Sequence, residues 1–155
     1  MRRRRPERRE ILPDPVFNDL VVTKFVNNLM TSGKKSVSEK IFYKSLDIIK
    51  SKTKEEDGLS IFKKALENVA PVLEVKSKRI GGATYQVPVE ISKNRKMALA
   101  MRWIIQYSKS RKGLTMADRL AAELIAASNN EGSSIKKKED THKMAEANKA
   151  FAHFG

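Results

Sequence analysis

Residues 72–91 read VLEVKSKRIGGATYQVPVEI, and their periodicity differs from that of the chain on either side. Apolar and polar side chains alternate along the second half of this stretch, which is the two-residue period of a β-strand. Gly81 and Gly82 separate the two halves, and such a pair favours the positive φ angles of a tight turn. We therefore predict one hairpin over about 72–91. Pro88 cannot donate to a strand ladder, so the returning strand is an edge.

Apolar residues recur at helical spacing on both sides of this hairpin. Ser36 and Glu39 have the spacing of an N-terminal capping box, and so do Thr115 and Asp118. Apolar stripes and these end signals predict helices at about 18–30, 36–52, 59–69, 93–110, 115–128 and 135–152.

The sequence thus predicts a mainly α fold, with about six helices and one protruding two-stranded β-hairpin. Residues 14–155 are expected to form a single helical domain, because no internal repeat or linker interrupts them. Residues 1–13 carry several arginines and no apolar periodicity, so we expect a basic tail that orders on a partner.

The charge balance indicates the class of partner. The chain has 32 Lys and Arg residues against 18 Asp and Glu residues, a formal net charge of +14. An excess of this size repels itself, which predicts an anionic partner: nucleic acid first, with a membrane surface as the alternative. No apolar run approaches the roughly 20 residues that span a bilayer, so we expect a cytoplasmic protein without a membrane partner.

Residue types and motifs argue against catalysis. The absence of cysteine excludes disulfides, thiolate metal sites and a Cys nucleophile. His142 and His153 lack the spacing of a metal site and are expected on a helix surface. The chain contains no HExxH, GxxxxGK[ST] or GxSxG motif. We predict a binding protein that needs no cofactor and is not an enzyme.

The hairpin is the most informative candidate site. Lys76 and Lys78 are predicted to share one face, and Arg79 lies beside the Gly-Gly tip. Strands of about eight residues reach about 25 Å, far enough to carry these cations into a nucleic-acid groove. The alternative is a solvated hairpin whose lysines only discourage edge pairing. Tyr85 could stack on a base or pack internally, and both interpretations stay open.

Several stretches resemble one family, the bacterial-type small-subunit ribosomal protein seven. The resemblance is collinear over nearly the whole chain. It is carried by PDP at 13–15, FNDL at 17–20, KFVNNLM at 24–30, GKKS at 33–36, ALENV at 65–69, RIGGATYQVPVE at 79–90 and KEDTHKMAEANKAFAH at 138–153.

The resemblance implies a structural component of the small ribosomal subunit, bacterial or made in an organelle. Proteins of this family bind the head domain of the small-subunit ribosomal RNA directly and nucleate assembly of the head. Their hairpin points to the exit site, near transfer RNA and messenger RNA. Their neighbours are small-subunit ribosomal proteins nine and eleven, and no homo-oligomer is expected. In some bacteria they also repress translation of their own operon messenger.

Two sets of residues follow from the resemblance. The residues expected to contact ribosomal RNA are Arg3, Arg4, Arg5, Arg9, Lys34, Lys35, Lys76, Lys78, Arg79, Arg95, Arg102, Arg111 and Arg119. The residues expected near transfer RNA are Gly81, Gly82, Thr84, Tyr85, Lys136, Lys137 and Lys143.

Two rival functions remain at this point. An architectural DNA-binding protein is also small, basic and helical with a β-arm, but it usually dimerises and carries an apolar wedge at the arm tip. The tip here is Gly81-Gly82. A basic enzyme acting on RNA would need an acid–base pair, and the sequence suggests none.

Overall fold

The computed structural model describes residues 3–54 and 57–155, which form six α-helices, one 3-10 helix and one antiparallel hairpin. The mainly α fold with a single hairpin is confirmed. Glu55 and Glu56 of the predicted second interhelical loop lie outside the described residues, as do Met1 and Arg2. The elements are α1 Leu20–Leu29, α2 Lys35–Thr53, α3 Gly58–Val69, β1 Leu73–Ile80, β2 Ala83–Glu90, α4 Lys93–Ser110, α5 Met116–Ser128, α6 Ser133–Ala147 and the 3-10 helix Lys149–Phe154.

Three phenylalanines join the first three helices at the centre of the core. Phe25, Phe42 and Phe62 come from α1, α2 and α3, and each side chain is fully buried. Their ring centroids lie 5.0–5.5 Å apart, with Phe62 edge-on to both of the others. Such aromatic contacts add about 0.5–1.5 kcal/mol per pair beyond the burial of area. Helix α5 closes this core by packing on α2 and α3.

The start of α2 differs from the prediction. The helix begins at Lys35, its N-cap Lys34 makes no side-chain capping bond, and the predicted capping box at Ser36–Glu39 is wrong. The Ser38 hydroxyl instead donates to the carbonyl of Val26 at 2.7 Å and ties α2 to α1. By contrast, the capping box of α5 is confirmed. The Thr115 hydroxyl bonds the Asp118 carboxylate, which lowers the pKa of that carboxyl.

A buried carboxylate anchors the place where the tail meets the helices. Asp14 accepts hydrogen bonds from the backbone N–H groups of Val16 and Phe17 and, at 2.5 Å, from the hydroxyl of Tyr43. Burial, together with this bond, raises the pKa of the Tyr43 phenol. Asp19 then caps α1 and pairs with Lys63, whose hydrogen bond lowers the pKa of Asp19.

The end of α4, α5 and the start of α6 meet at a second buried carboxylate. Glu123 has no exposed side-chain surface. Its Oε2 accepts from Nε of Arg111 at 2.5 Å, and its Oε1 accepts from both the backbone N–H and the hydroxyl of Ser134. These bonds compensate the cost of burying the charge and fix the angle between the three helices.

The hairpin has the predicted turn. Gly81 and Gly82 both have positive φ, and β1 pairs with β2 from Leu73–Glu90 to Ile80–Ala83. Its base is held by α6, where Nε2 of His142 accepts a hydrogen bond from the backbone N–H of Val72 at 3.0 Å. His142 was predicted to lie on a helix surface. It does lie on α6, but one of its ring nitrogens also bonds the backbone of the hairpin.

The C-terminus departs from the predicted long helix over 135–152. Helix α6 ends at Ala147, and Lys149–Phe154 form a separate 3-10 helix. This break turns Phe151 and Phe154 onto Tyr85 of the hairpin, with ring centroids 5.1 and 5.4 Å from the tyrosine ring. Of the two interpretations of Tyr85, base stacking and internal packing, the structure therefore shows internal packing on one face of the ring. Trp103 lies in the core.

We expect Arg111→Ala to destabilise the fold because it leaves the Glu123 carboxylate buried without its cation. The loss in free energy of unfolding should be about 2 kcal/mol, less than the ~3–5 kcal/mol of a fully buried pair, because Arg111 is one-third exposed. Chemical denaturation measures it. Arg102→Ala removes the same charge from an exposed site on α4 and should cost less than about 0.5 kcal/mol. Equal losses in both variants would contradict this role for Arg111.

We also expect stability to depend on the protonation of His142. Burial and the charge of Lys138 lower the pKa of His142 below its ordinary 6.5, and a protonated ring could not accept the bond from Val72. The unfolded chain therefore takes up the proton first, so stability present above pH 6.5 falls as pH drops below it. Thermal unfolding of His142→Gln across this window should lack that component, whereas His153→Gln should keep it. If the His142→Gln variant had the same dependence of stability on pH as the wild type, His142 would not be its source.

Candidate nucleic-acid interface

The thirteen basic residues predicted to contact RNA fall into two groups in the structure. Five have a partner within the chain: Lys76, Lys78, Arg95, Arg111 and Arg119. The other eight are exposed and make no ion pair or side-chain hydrogen bond with residues 3–54 or 57–155: Arg3, Arg4, Arg5, Arg9, Lys34, Lys35, Arg79 and Arg102. The second group can neutralise phosphates without first losing an internal bond.

Helix α4 carries a straight row of cations along its outer face. Arg95, Arg102 and Lys109 are spaced by seven residues, which returns to nearly the same side of a helix at steps of about 10 Å. The opposite face is held in the core by residues such as Ala100 and Ile104. Because this packing fixes the rotation of α4, the three cations point away from the core together. We call Arg95, Arg102 and Lys109 the α4 row.

Helix α1 adds a further cation beside the α4 row. Lys24 of α1 and Lys93 of α4 line opposite sides of a cleft between these two helices, and Ile11 of the tail lies at the same cleft. The position of Ile11 brings the arginine-rich tail to the edge of this surface. Lys24, Lys93 and Lys109 were not among the predicted contacts. The seven-residue spacing could have revealed Lys109, but the pairing of Lys24 with Lys93 depends on how α1 packs on α4.

The base of the hairpin joins the same surface through an ion pair. Arg95 donates from Nε and Nη2 to Oε2 of Glu74 on β1, at 3.3 and 3.1 Å. Lys76 lies 3.8 Å from the other oxygen of Glu74, with 61% of its side chain exposed. Since a guanidinium has five N–H donors, Arg95 keeps donors for a further anion while Glu74 fixes its orientation.

The two faces of the hairpin differ in what they offer. Strand register places Lys78 opposite Tyr85, on the face that the 3-10 helix covers, and Nζ of Lys78 donates to the carbonyl of Phe154 at 2.5 Å. Arg79 pairs with Thr84 on the other face, and both are exposed. Within residues 3–54 and 57–155, and apart from each glycine and its two chain neighbours, no heavy atom lies within 4 Å of the place that a Cβ would take on either tip glycine. The open face and the tip are therefore accessible to a partner.

The lysines of α6 lie apart from the hairpin tip. Nζ of Lys138 donates to the carbonyl of Asn68 at the end of α3, so the first turns of α6 sit beside α3. The chain then passes Val72 at the base of the hairpin and reaches Tyr85 only through the 3-10 helix. Lys136, Lys137 and Lys143 are exposed. The predicted transfer-RNA set therefore divides into a group at the hairpin and a group on α6.

Arg119 also has a partner within the chain. Its Nε and Nη2 donate to the carbonyl of Gly113, which closes the loop between α4 and α5. Arg111 is committed to Glu123 at the other end of the same loop. Both residues thus stabilise the turn from α4 into α5, in addition to any contact they make with RNA.

None of the helices within residues 3–54 and 57–155 has both the length and the apolar character needed to cross a membrane.

Comparison with known proteins agrees with the resemblance found in the sequence. The family model for ribosomal protein S7p/S5e matches residues 1–149. The chain is similar to small ribosomal subunit protein uS7 of Anaeromyxobacter sp. (strain Fw109-5), with 63% identity over 99% of this chain and 97% of the relative. It is 61% identical to uS7 of Myxococcus xanthus, with the same coverage. For uS7 of Thermotoga maritima the identity is 56%, over 99% of each chain. This chain belongs to the ribosomal protein S7p/S5e family.

Proposed function

We propose that this chain binds the head domain of the small-subunit ribosomal RNA directly and nucleates assembly of the head. Its family membership makes it a structural constituent of the small ribosomal subunit in the cytoplasm, and a protein that binds RNA, not an enzyme.

The α4 row is the observation that supports this most strongly. One face of α4 is buried, so the three cations on its other face are held at fixed distances from one another. Lys24, Lys93 and the base of the hairpin lie beside this row and extend it into a wider basic surface. Much of the affinity for nucleic acid comes from such phosphate contacts, because each one releases a condensed counterion. A rigid array also suits structured RNA, which is recognised mainly by shape and backbone.

The free arginines of the tail and Lys34 and Lys35 are assigned to the same RNA as outlying contacts. Their exposure and the position of Ile11 beside α1 support this assignment. A tail of this composition can follow the RNA surface and order on it.

The proposal extends to the exit site. The open hairpin tip at Gly81–Gly82, with Thr84 and Arg79 on its uncovered face, is proposed to lie near exit-site transfer RNA and messenger RNA. Small-subunit ribosomal proteins nine and eleven are its proposed protein neighbours. Repression of its own operon messenger would use the same basic surface, since that messenger is RNA as well.

We expect the double variant Arg102→Ala with Lys109→Ala to weaken binding to a head-domain RNA fragment and to flatten its salt dependence. Removing two phosphate contacts should reduce the slope of log K against log salt by about 1.4–1.8. Filter binding at several salt concentrations measures both quantities.

A charge-matched control comes from α2, which packs on α1, α3 and α5. Lys40→Ala with Lys50→Ala removes two exposed lysines from that helix and should leave the slope within error of wild type. Equal slopes for the α4 variant and wild type would remove the α4 row from the RNA contacts.

A further inference from the structure

The cleft between α1 and α4 differs in chemistry from the rest of the basic surface. Its volume is about 370 Å³, within the ~300–1,000 Å³ range of small-ligand sites. Val21, Met97 and Ala98 line it, and Met101, which is 1% exposed, forms its floor. An apolar floor of this kind offers no hydrogen bond or charge to a phosphate. It suits the flat face of an aromatic ring.

Three asparagines form the rim of this cleft. Asn28 uses its side-chain N–H groups on the carbonyl of Lys24 and, more weakly, on the sulfur of Met101. Asn27 and Asn94 make no side-chain hydrogen bond to any residue in 3–54 or 57–155. These two amides come from α1 and α4, respectively, and each keeps a donor pair and an acceptor for a ligand.

The cations are placed outside the apolar part. Lys24 and Lys93 stand at the cleft, and the α4 row continues from it through Arg102. The arrangement therefore offers an apolar surface, amide groups at its edge and positive charge beside it. A single nucleotide has the matching parts, namely a ring face, a hydrogen-bonding base edge and a phosphate.

We infer that the α1–α4 cleft receives one unstacked base of the bound RNA. The inference rests on the proposed function, because the cleft lies within the surface assigned to ribosomal RNA. The base packs on Met97 and Val21, and the amides of Asn27 and Asn94 bond its edge. Asparagine pairs best with adenine, whose amino group and adjacent ring nitrogen match one acceptor and one donor. The cleft would then add base recognition to a surface that otherwise reads shape and charge.

The first test uses the free protein and two small probes. Adenosine monophosphate and ribose 5-phosphate share the sugar and the phosphate, and only the first has a base. In nuclear magnetic resonance titrations, adenosine monophosphate should shift the side-chain amide signals of Asn27 and Asn94, and ribose 5-phosphate should not. Equal shifts with both probes, or no shift with adenosine monophosphate, would overturn the inference.

The second test separates this inference from the proposed function. Asn27→Ala with Asn94→Ala should weaken binding of the head-domain RNA fragment about tenfold without changing the salt slope, since no charge is lost. Lys24→Ala with Lys93→Ala should lower the slope. Asn129→Ala, which removes an exposed amide beside α2 and α3, should bind as wild type.

The outcomes are distinct. Asparagine variants that bind as wild type, while the lysine variant is weakened, would overturn the base cleft and leave the RNA-binding function standing. If neither is weakened, both the cleft and the assignment of the α1–α4 surface fail. Because Asn94 is exposed in the first turn of α4, Asn94→Ala alone keeps the test valid if the double variant unfolds.

Discussion

The burial of one face of α4 is the interaction on which the rest of the binding surface depends. Ala100, Met101 and Ile104 hold this face against the neighbouring helices. A helix fixed on one side has no freedom to rotate, so the residues on its other side have set directions. The α4 row is therefore a consequence of core packing. The same packing forms the cleft between α4 and α1. It also positions the two ends of α4, one next to the hairpin and the other next to the buried Glu123.

A net charge of +14 makes this constraint necessary. Cations that repel one another must be kept outward and apart, or be matched by acids within the fold. The protein does both. Asp19, Glu74 and Glu123 each hold a Lys or Arg. Uncompensated cations remain on the tail, the first loop, the outer face of α4 and the open side of the hairpin, and further exposed lysines lie on α2 and α6.

Local signals explain what the sequence could predict of the fold. The hairpin follows from alternation around Gly81–Gly82. Helices α4 and α5 follow from apolar stripes, and the capping box at Thr115 marks the start of α5. Tertiary contacts explain the features of the fold that the sequence could not predict. Ser38 bonds Val26 instead of capping α2, and the last helix breaks after Ala147, where the aromatic residues turn to meet Tyr85. Neither partner is visible within a local window of sequence.

The same limit applies to the candidate site. Composition and resemblance identified which residues are basic and exposed in the tail, the first loop and the hairpin. They could not show that Lys78 bonds the carbonyl of Phe154 or that Arg111 neutralises Glu123. Those facts depend on residues distant in the chain. Lys24 and Lys93 became candidates only through the contact between α1 and α4.

Specificity for the ribosomal head can be measured by a competition titration. Labelled head-domain RNA would be bound by the protein at physiological salt, with duplex DNA and an unrelated structured RNA as separate competitors. We expect the head fragment to stay bound in the presence of either competitor. Equal displacement by duplex DNA would contradict it and leave only generic basic binding, as expected of an architectural DNA-binding protein.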